Sequence, residues 1–258
     1  MILQNKKKLK KSSIQEINPF IYSIDNNLEP NICDQLISLF DIPSLQKYIN
    51  EKEDLYTNEI SKSLIEEDNN FFKDTADISV SLLVGAHKHN LKHNPSKKII
   101  TKDIFDLLKH LDDALFKSLQ LGIQELKIFL DDKCFNMSKI IDRCSNIRKD
   151  IPRVSVDEKD VRFNDTFNND TGYQIQKSGI EYKGFALHDD FFEERSLTYL
   201  WYLNDDFVGG ETIFPYSNFH VKPKKGTLIM FPCLWTHSHI GLAPKDSYKY
   251  IATGCMNR

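Results

Sequence analysis

Between Arg195 and Pro232 the chain passes repeatedly through an apolar run and a turn. Arg195-Ser196-Leu197-Thr198-Tyr199-Leu200-Trp201-Tyr202-Leu203-Asn204 is rich in aromatic and branched side chains, which suit the pleated, half-buried surface of a strand. Gly209-Gly210 turns the chain into the short run Glu211-Thr212-Ile213-Phe214-Pro215. Val221 to Pro232 then gives two short strands around Lys225-Gly226. Strand, turn and strand at such close spacing read as a jelly roll, also called a double-stranded β-helix. Upstream, Ile104, Leu107, Leu108, Leu111, Leu115 and Leu119 form a helical stripe, with Thr101 placed to cap it and Asp103 in its first turn. A second stripe, Ile140, Ile141, Cys144 and Ile147, suggests another helix. The expected class is α+β, a jelly-roll core with supporting N-terminal helices packed on its outer sheet.

Chemistry enters at His188-Asp189-Asp190. Gly184-Phe185-Ala186-Leu187 leads into it as an apolar strand, so His188 and Asp190 should share a face and Asp189 should point the other way. An Asp189 ligand would need a local bulge. Far downstream stand His237 and His239, followed by Lys249. Two imidazoles and one carboxylate make the facial set that suits a non-haem Fe(II) oxygenase, which leaves the opposite face of the metal open. A His-x-Asp triplet alone arises often by chance; its neighbours raise its weight.

Taken together, H-x-D at His188 and Asp190, R-x-x-T-x-x-x-Y-L-N from Arg195, G-G-E-T-x-F from Gly209, P-x-x-G with a downstream Phe at Pro223 to Phe231, and the distal His with its later Lys resemble the Fe(II)/2-oxoglutarate-dependent dioxygenases. The similarity is to their prolyl 4-hydroxylase-like branch and runs from about Gln174 to Thr253. The resemblance implies that His188, Asp190 and His239 hold Fe(II). His239 is chosen over His237 because the family places Gly two positions after the ligand and its 2-oxoglutarate cation about ten after it, which Gly241 and Lys249 satisfy. Lys249 would pair with the distal carboxylate of 2-oxoglutarate, an acid that is costly to bury unpaired. Tyr202 stands where the family often offers a hydroxyl to that carboxylate. Thr253 shares the strand parity of Lys249 and is a candidate supporting residue, although both hydroxyls would suit an ordinary core as well. Thr198 and Leu200 share the inward parity of Tyr202. Departures are Cys255, where a Trp is common, and Tyr182 and Phe185 in place of a frequent Tyr.

The implied activity is hydroxylation of an unactivated C–H bond, with peptidyl proline a candidate target, using O2 and releasing succinate and CO2. Ascorbate is a candidate reductant. A peptide or small molecule would be the substrate. The alternative is a catalytically silent jelly-roll module for metal binding or interaction; such a module is expected to have lost a ligand, and this chain keeps all of them.

The formal charge of −3 leaves no electrostatic footprint for nucleic acid, and no partner of that kind is expected. Five cysteines, widely spaced and without a Cys-x-x-Cys pair, suggest reduced thiols and a cytoplasmic setting rather than a disulfide framework. No apolar segment reads as a secretion signal or membrane span. Residues 1–16 read as a basic tail and 17–258 as one domain: a strand and helix near Pro19 and Pro30, a surface insertion over 45–100, supporting helices over 101–150, and the jelly-roll core over 172–258. His87, His89 and His93 lie among lysines and read as an exposed basic loop rather than a metal site. Asp157 to Thr171 reads as a loop able to cover the mouth.

Overall fold

The computed structural model describes residues 13–49, 73–93, 100–147, 169–179, 184–192 and 194–257. In chain order the elements are β1 (Gln15–Asn18), β2 (Ile21–Ile24), α1 (Pro30–Ser38), β3 (Lys73–Asp74), β4 (Ala76–Ser79), α2 (Val80–His93), α3 (Lys102–Ile147), β5 (Asn169–Asp170), β6 (Gln174–Gly179), β7 (Gly184–His188), β8 (Arg195–Tyr202), β9 (Thr212–Phe214), β10 (Phe219–Val221), β11 (Leu228–Pro232), β12 (His239–Leu242) and β13 (Tyr248–Asn257). They form two antiparallel sheets. The larger runs β1-β2-β11-β8-β13-β6-β4, with β5 added to β13, and the smaller runs β10-β9-β12-β7-β3. The expected jelly roll with helical support is therefore the architecture found.

Side-chain alternation on the larger sheet divides the core in two. One face gives Tyr22, Leu197, Tyr199, Trp201, Met230 and Ala252 to a cluster shared with the helices. The opposite face gives Ile21, Leu200, Tyr202, Ile229 and Phe231 to a smaller cluster with Phe214 and Val221 of the other sheet. The second cluster is the interior between the sheets, where the site lies.

Helix α3 covers the outer face with Leu108, Leu111, Leu115, Leu119, Ile123 and Leu126, all buried at helical spacing. Its approach is set by Gly122, where a Cβ would stand 2.5 Å from Leu228 Cδ2. The indole N–H of Trp201, buried under the helix, donates to Asn27 Oδ1 at 2.7 Å, and Asn27 Nδ2 donates to the Ser118 carbonyl at 3.2 Å. The layer is thus pinned by polar contacts as well as by packing.

Four expectations change. The second helical stripe belongs to the same α3, because no proline interrupts the chain between Lys102 and Ile147 and one long helix replaces two. Over 45–100, expected as a surface insertion, β4 instead pairs with β6 and buries Ala76 and Ile78, and α2 buries Val80, Leu83 and Val84. The acidic run from Glu51 to Asn70 that suggested an insertion lies outside the described residues. His87 is not in an exposed loop: it follows Leu83 and Val84 on the buried face of α2 and lies against the Phe105 ring at 4.6 Å, while His89 is exposed. Finally, the sheet begins at Gln15 with Ile14 already buried, inside the stretch expected as tail; residues 1–12 lie outside the described residues. Of the loop expected to cover the mouth, only residues 169–171 are described, and Asn169–Asp170 pairs with β13. Among the described residues no helix is long and apolar enough to cross a membrane.

Candidate active site

His188 closes β7 and His239 opens β12, and the two strands pair so that these residues face each other across the ladder. Ladder register thus joins two histidines far apart in sequence. Their ring centroids lie 4.2 Å apart. Phe185 stacks on His188 at 3.8 Å, and Phe214 and Phe231 flank His239 at 5.7 and 4.8 Å. His188 Nδ1 donates to the Ala186 carbonyl at 2.7 Å, and His239 Nδ1 to the His237 carbonyl at 3.2 Å. Each ring therefore carries a proton on Nδ1 and presents Nε2 to the space between them.

Those two Nε2 atoms converge on one carboxylate. Asp190 Oδ1 lies 3.8 Å from His188 Nε2, and Asp190 Oδ2 lies 3.8 Å from His239 Nε2. One donor atom from each of the three residues falls within 4.8 Å of the others. Burial pulls the His239 pKa down to about 4, against the opposing pull of Asp190, so the imidazole is neutral at pH 7 with its lone pair available. Two imidazole lone pairs and a carboxylate around one small space form a donor set that fits a divalent cation. Asp189, just past the end of β7, is exposed, and its Oδ1 accepts the Phe191 N–H at 3.1 Å.

Asp190 is held from β8. Thr198 Oγ1 donates to Asp190 Oδ2 at 2.6 Å and lies 3.2 Å from Cys233 Sγ. The Cys233 thiol is pushed up by its contact with Cys255, by burial and by the Asp190 charge, and stays protonated.

Elsewhere in the interior stands Lys249, 4% exposed, on the same strand face as Ile251. Its Nζ donates to the Gly210 carbonyl at 3.0 Å and the Leu242 carbonyl at 2.6 Å, and it forms no ion pair among the described residues. Burial pulls its pKa down to about 8, with partial relief from nearby Glu211. The Gly-Gly turn explains part of this anchorage. Gly210 has φ +76°, and a Cβ there would meet Phe207 at 2.6 Å and the Lys249 stem at 3.3 Å. Tyr202, fully buried, donates its hydroxyl to Thr212 Oγ1 at 2.8 Å. Thr253 donates to the Tyr199 carbonyl at 2.9 Å, so its proton is committed to the sheet.

Residues 173–257 match the family model of the 2OG-Fe(II) oxygenase superfamily. The match covers the segment from β6 to β13, about a third of the chain. No curated protein matches the chain. Among solved structures, the chain is similar to a prolyl hydroxylase from Trichoplax adhaerens in complex with a hypoxia inducible factor oxygen degradation domain peptide fragment. That match has 13% identity over 92% of this chain and 83% of the other, with a TM-score of 0.50, and the likeness is one of fold. The viral collagen prolyl hydroxylase of Paramecium Bursaria Chlorella virus-1 matches at 18% identity over 92% of this chain and 95% of the other, with a TM-score of 0.45. A Pseudomonas putida prolyl-4-hydroxylase matches at 11% identity over 93% and 92%, with a TM-score of 0.47.

Within the matched segment, the structure brings His188, Asp190 and His239 together and leaves His237 outside them. His237 Nε2 instead approaches the Pro19 carbonyl at 3.3 Å, and its ring meets Phe20 edge-on. Lys249 and Tyr202 lie in the same interior. Sequence reasoning placed Thr198 on the inward face without a role, and it missed Cys233 and Thr212. Thr212 was within reach, since it sits in the Gly-Gly-Glu-Thr motif. Cys233 carried no signal of its own, because its place depends on where β11 ends beside β8.

Proposed function

We propose that this chain is an Fe(II)- and 2-oxoglutarate-dependent dioxygenase of prolyl 4-hydroxylase-like type, hydroxylating an unactivated C–H bond. The observation that carries the reading is the pairing, in one buried interior, of a His188–Asp190–His239 donor set with a lysine that has no carboxylate partner among the described residues. A buried cation held only by carbonyls is costly, and an incoming acid would relieve that cost.

In this reading His188 Nε2, His239 Nε2 and the Asp190 carboxylate hold Fe(II), and Lys249 Nζ pairs with the distal carboxylate of 2-oxoglutarate. Tyr202 shapes the wall beside that carboxylate through its bond to Thr212. Thr253 supports β13 through the Tyr199 carbonyl. Phe185, Phe214 and Phe231 pack around the two imidazoles, limiting their rotation and excluding water from the donor atoms. The bound iron supplies the oxidising chemistry: O2 and 2-oxoglutarate give succinate and CO2, and one oxygen atom enters the substrate as a hydroxyl. The protein's share is to fix the donors, neutralise the acid and hold the target carbon in place.

A peptide carrying proline is the proposed substrate. The ordered motifs of the prolyl 4-hydroxylase-like branch support it, as does the likeness in fold to a prolyl hydroxylase solved with a peptide. The test is anaerobic loading with Fe(II) and 2-oxoglutarate, followed by admission of O2 with proline-containing peptides. A visible metal-to-ligand charge-transfer band, succinate release and a peptide mass gain of one oxygen are expected. Absence of the band would overturn the co-substrate, and succinate without peptide oxidation would overturn the substrate class alone.

A further inference from the structure

We propose that Thr198 is a positioning residue for Asp190: its hydroxyl donates to Oδ2 and so fixes the tilt of the carboxylate between the two imidazoles, and the Cys233 thiol fixes that hydroxyl in turn. This rests on the reading of Asp190 as an iron ligand. A hydroxyl has one proton, and at 2.6 Å from Asp190 Oδ2 the Thr198 proton is committed to the carboxylate. At the 3.2 Å contact between Thr198 Oγ1 and Cys233 Sγ the thiol must therefore be the donor. The chain from sulfur to hydroxyl to carboxylate runs in one direction and ends on the metal-binding group.

The backbone places both members. Thr198 is paired to Phe231 of β11 on one side and to Cys255 of β13 on the other. Cys233 follows β11 directly, and its N–H donates to the Ser196 carbonyl at 3.2 Å, which holds its sulfur against β8. Thr198 is 3% and Cys233 1% exposed, so water does not compete for these contacts. Cys233 and Cys255 approach Thr198 from opposite sides of β8. Their side chains meet there, and neither is joined in a disulfide. The two sulfurs act here as thiols in a packed wall.

The consequence is for coordination. A carboxylate that binds through one oxygen leaves more of the metal's open face for ligands than one that binds through both. Both oxygens lie 3.8 Å from an imidazole Nε2, and the bond from Thr198 makes Oδ2 the poorer donor of the two and favours binding through Oδ1. Removing the anchor should loosen the ligand and change the number of donors.

The test compares the parent with Thr198→Val and Thr198→Ser, measuring Fe(II) and Co(II) affinity by anaerobic competition with a chelating dye, together with the visible absorption of the Co(II) form. Thr198→Val should bind metal about 10–100-fold more weakly and show altered Co(II) bands, and Thr198→Ser should restore both. Thr198→Ala, which removes the hydroxyl without pressing a methyl group on Asp190, is read the same way should the valine variant fold poorly. Parent-like affinity and spectrum in the hydroxyl-free variants would overturn the proposal alone. A parent that binds neither metal would overturn the reading of the site beneath it.

Discussion

On the outward face of β8, Leu197, Tyr199 and Trp201 pack beneath the helices, and their polar atoms bond to fixed scaffold: Tyr199 donates to the Gly172 carbonyl at 2.9 Å and Trp201 to Asn27. On the inward face of the same strand, Thr198 and Tyr202 donate to side chains of the site, Asp190 and Thr212. Burial is equally complete on both faces. What differs is the identity of the hydrogen-bond partner. Outward groups complete the fold, whereas inward groups orient residues that would themselves meet a ligand. Substitutions on the outward face should therefore read out as stability, and those on the inward face and its partners as binding.

The largest effect should come at the inward end. His188→Ala, Asp190→Ala and His239→Ala should each abolish or severely reduce Fe(II) binding and 2-oxoglutarate turnover, while His237→Ala retains iron. Equilibrium metal binding on folded protein checks this. Iron retained by His239→Ala and lost by His237→Ala would reverse the assignment and break the comparison at its centre.

Next comes the outward face. Trp201→Ala removes a fully buried indole and its bond to Asn27 Oδ1, to which Ser118 Oγ still donates, and should cost about 3–5 kcal/mol of stability. Urea unfolding measures it. The molecules that remain folded should bind Fe(II) as the parent does; a loss of metal affinity larger than the loss of folded protein would show that the two faces are not separable.

How much of this was legible in the sequence follows the same division. Strand alternation is local, so it placed Thr198, Leu200 and Tyr202 inward; it also paired His188 with Asp190, although β7 ends at His188 and both aspartates lie beyond the strand. The opposition of His239 to His188 is a matter of ladder register between distant strands, and only the resemblance to a family supplied it. Helix α3 was read as two helices because its apolar stripe was followed in two pieces, although no proline divides them. His87 was read as exposed because its lysine neighbours dominate the local composition, while helical spacing from Leu83 and Val84 decides its burial. Cys233 was illegible because its role lies wholly in tertiary contact.

Lys249→Ala should sharpen the comparison from the inward side. It leaves the bound acid without a charge partner, which costs roughly 2–5 kcal/mol of 2-oxoglutarate affinity, while Fe(II) stays bound. Lys249→Arg should recover part of the loss but not all, since a planar fork does not reproduce the donors that Lys249 directs at the Gly210 and Leu242 carbonyls. Titration of the anaerobic Fe(II) protein, followed through the charge-transfer band, gives both values. Unchanged affinity in Lys249→Ala would remove the lysine from the co-substrate site.

The smallest effect tests the same lysine through protons rather than substitution. Burial lowers the Lys249 pKa to about 8, so the cation is the main form below that pH and the neutral amine above it. An acid binds the cation, which means that above about pH 8 the protein must take up a proton in order to bind. Affinity for 2-oxoglutarate should therefore be level below roughly pH 7 and fall as pH rises through about 8, approaching tenfold per unit beyond it. Binding in turn should raise the pKa, and calorimetry in buffers of different ionisation enthalpy should register proton uptake near pH 8. Arginine stays charged throughout this range, so Lys249→Arg should bind more weakly at neutral pH yet lose the pH dependence. A parent whose affinity stays level to about pH 9.5, or an arginine variant that falls with the same slope, would separate the lysine from the acid and place the titrating group elsewhere in the site.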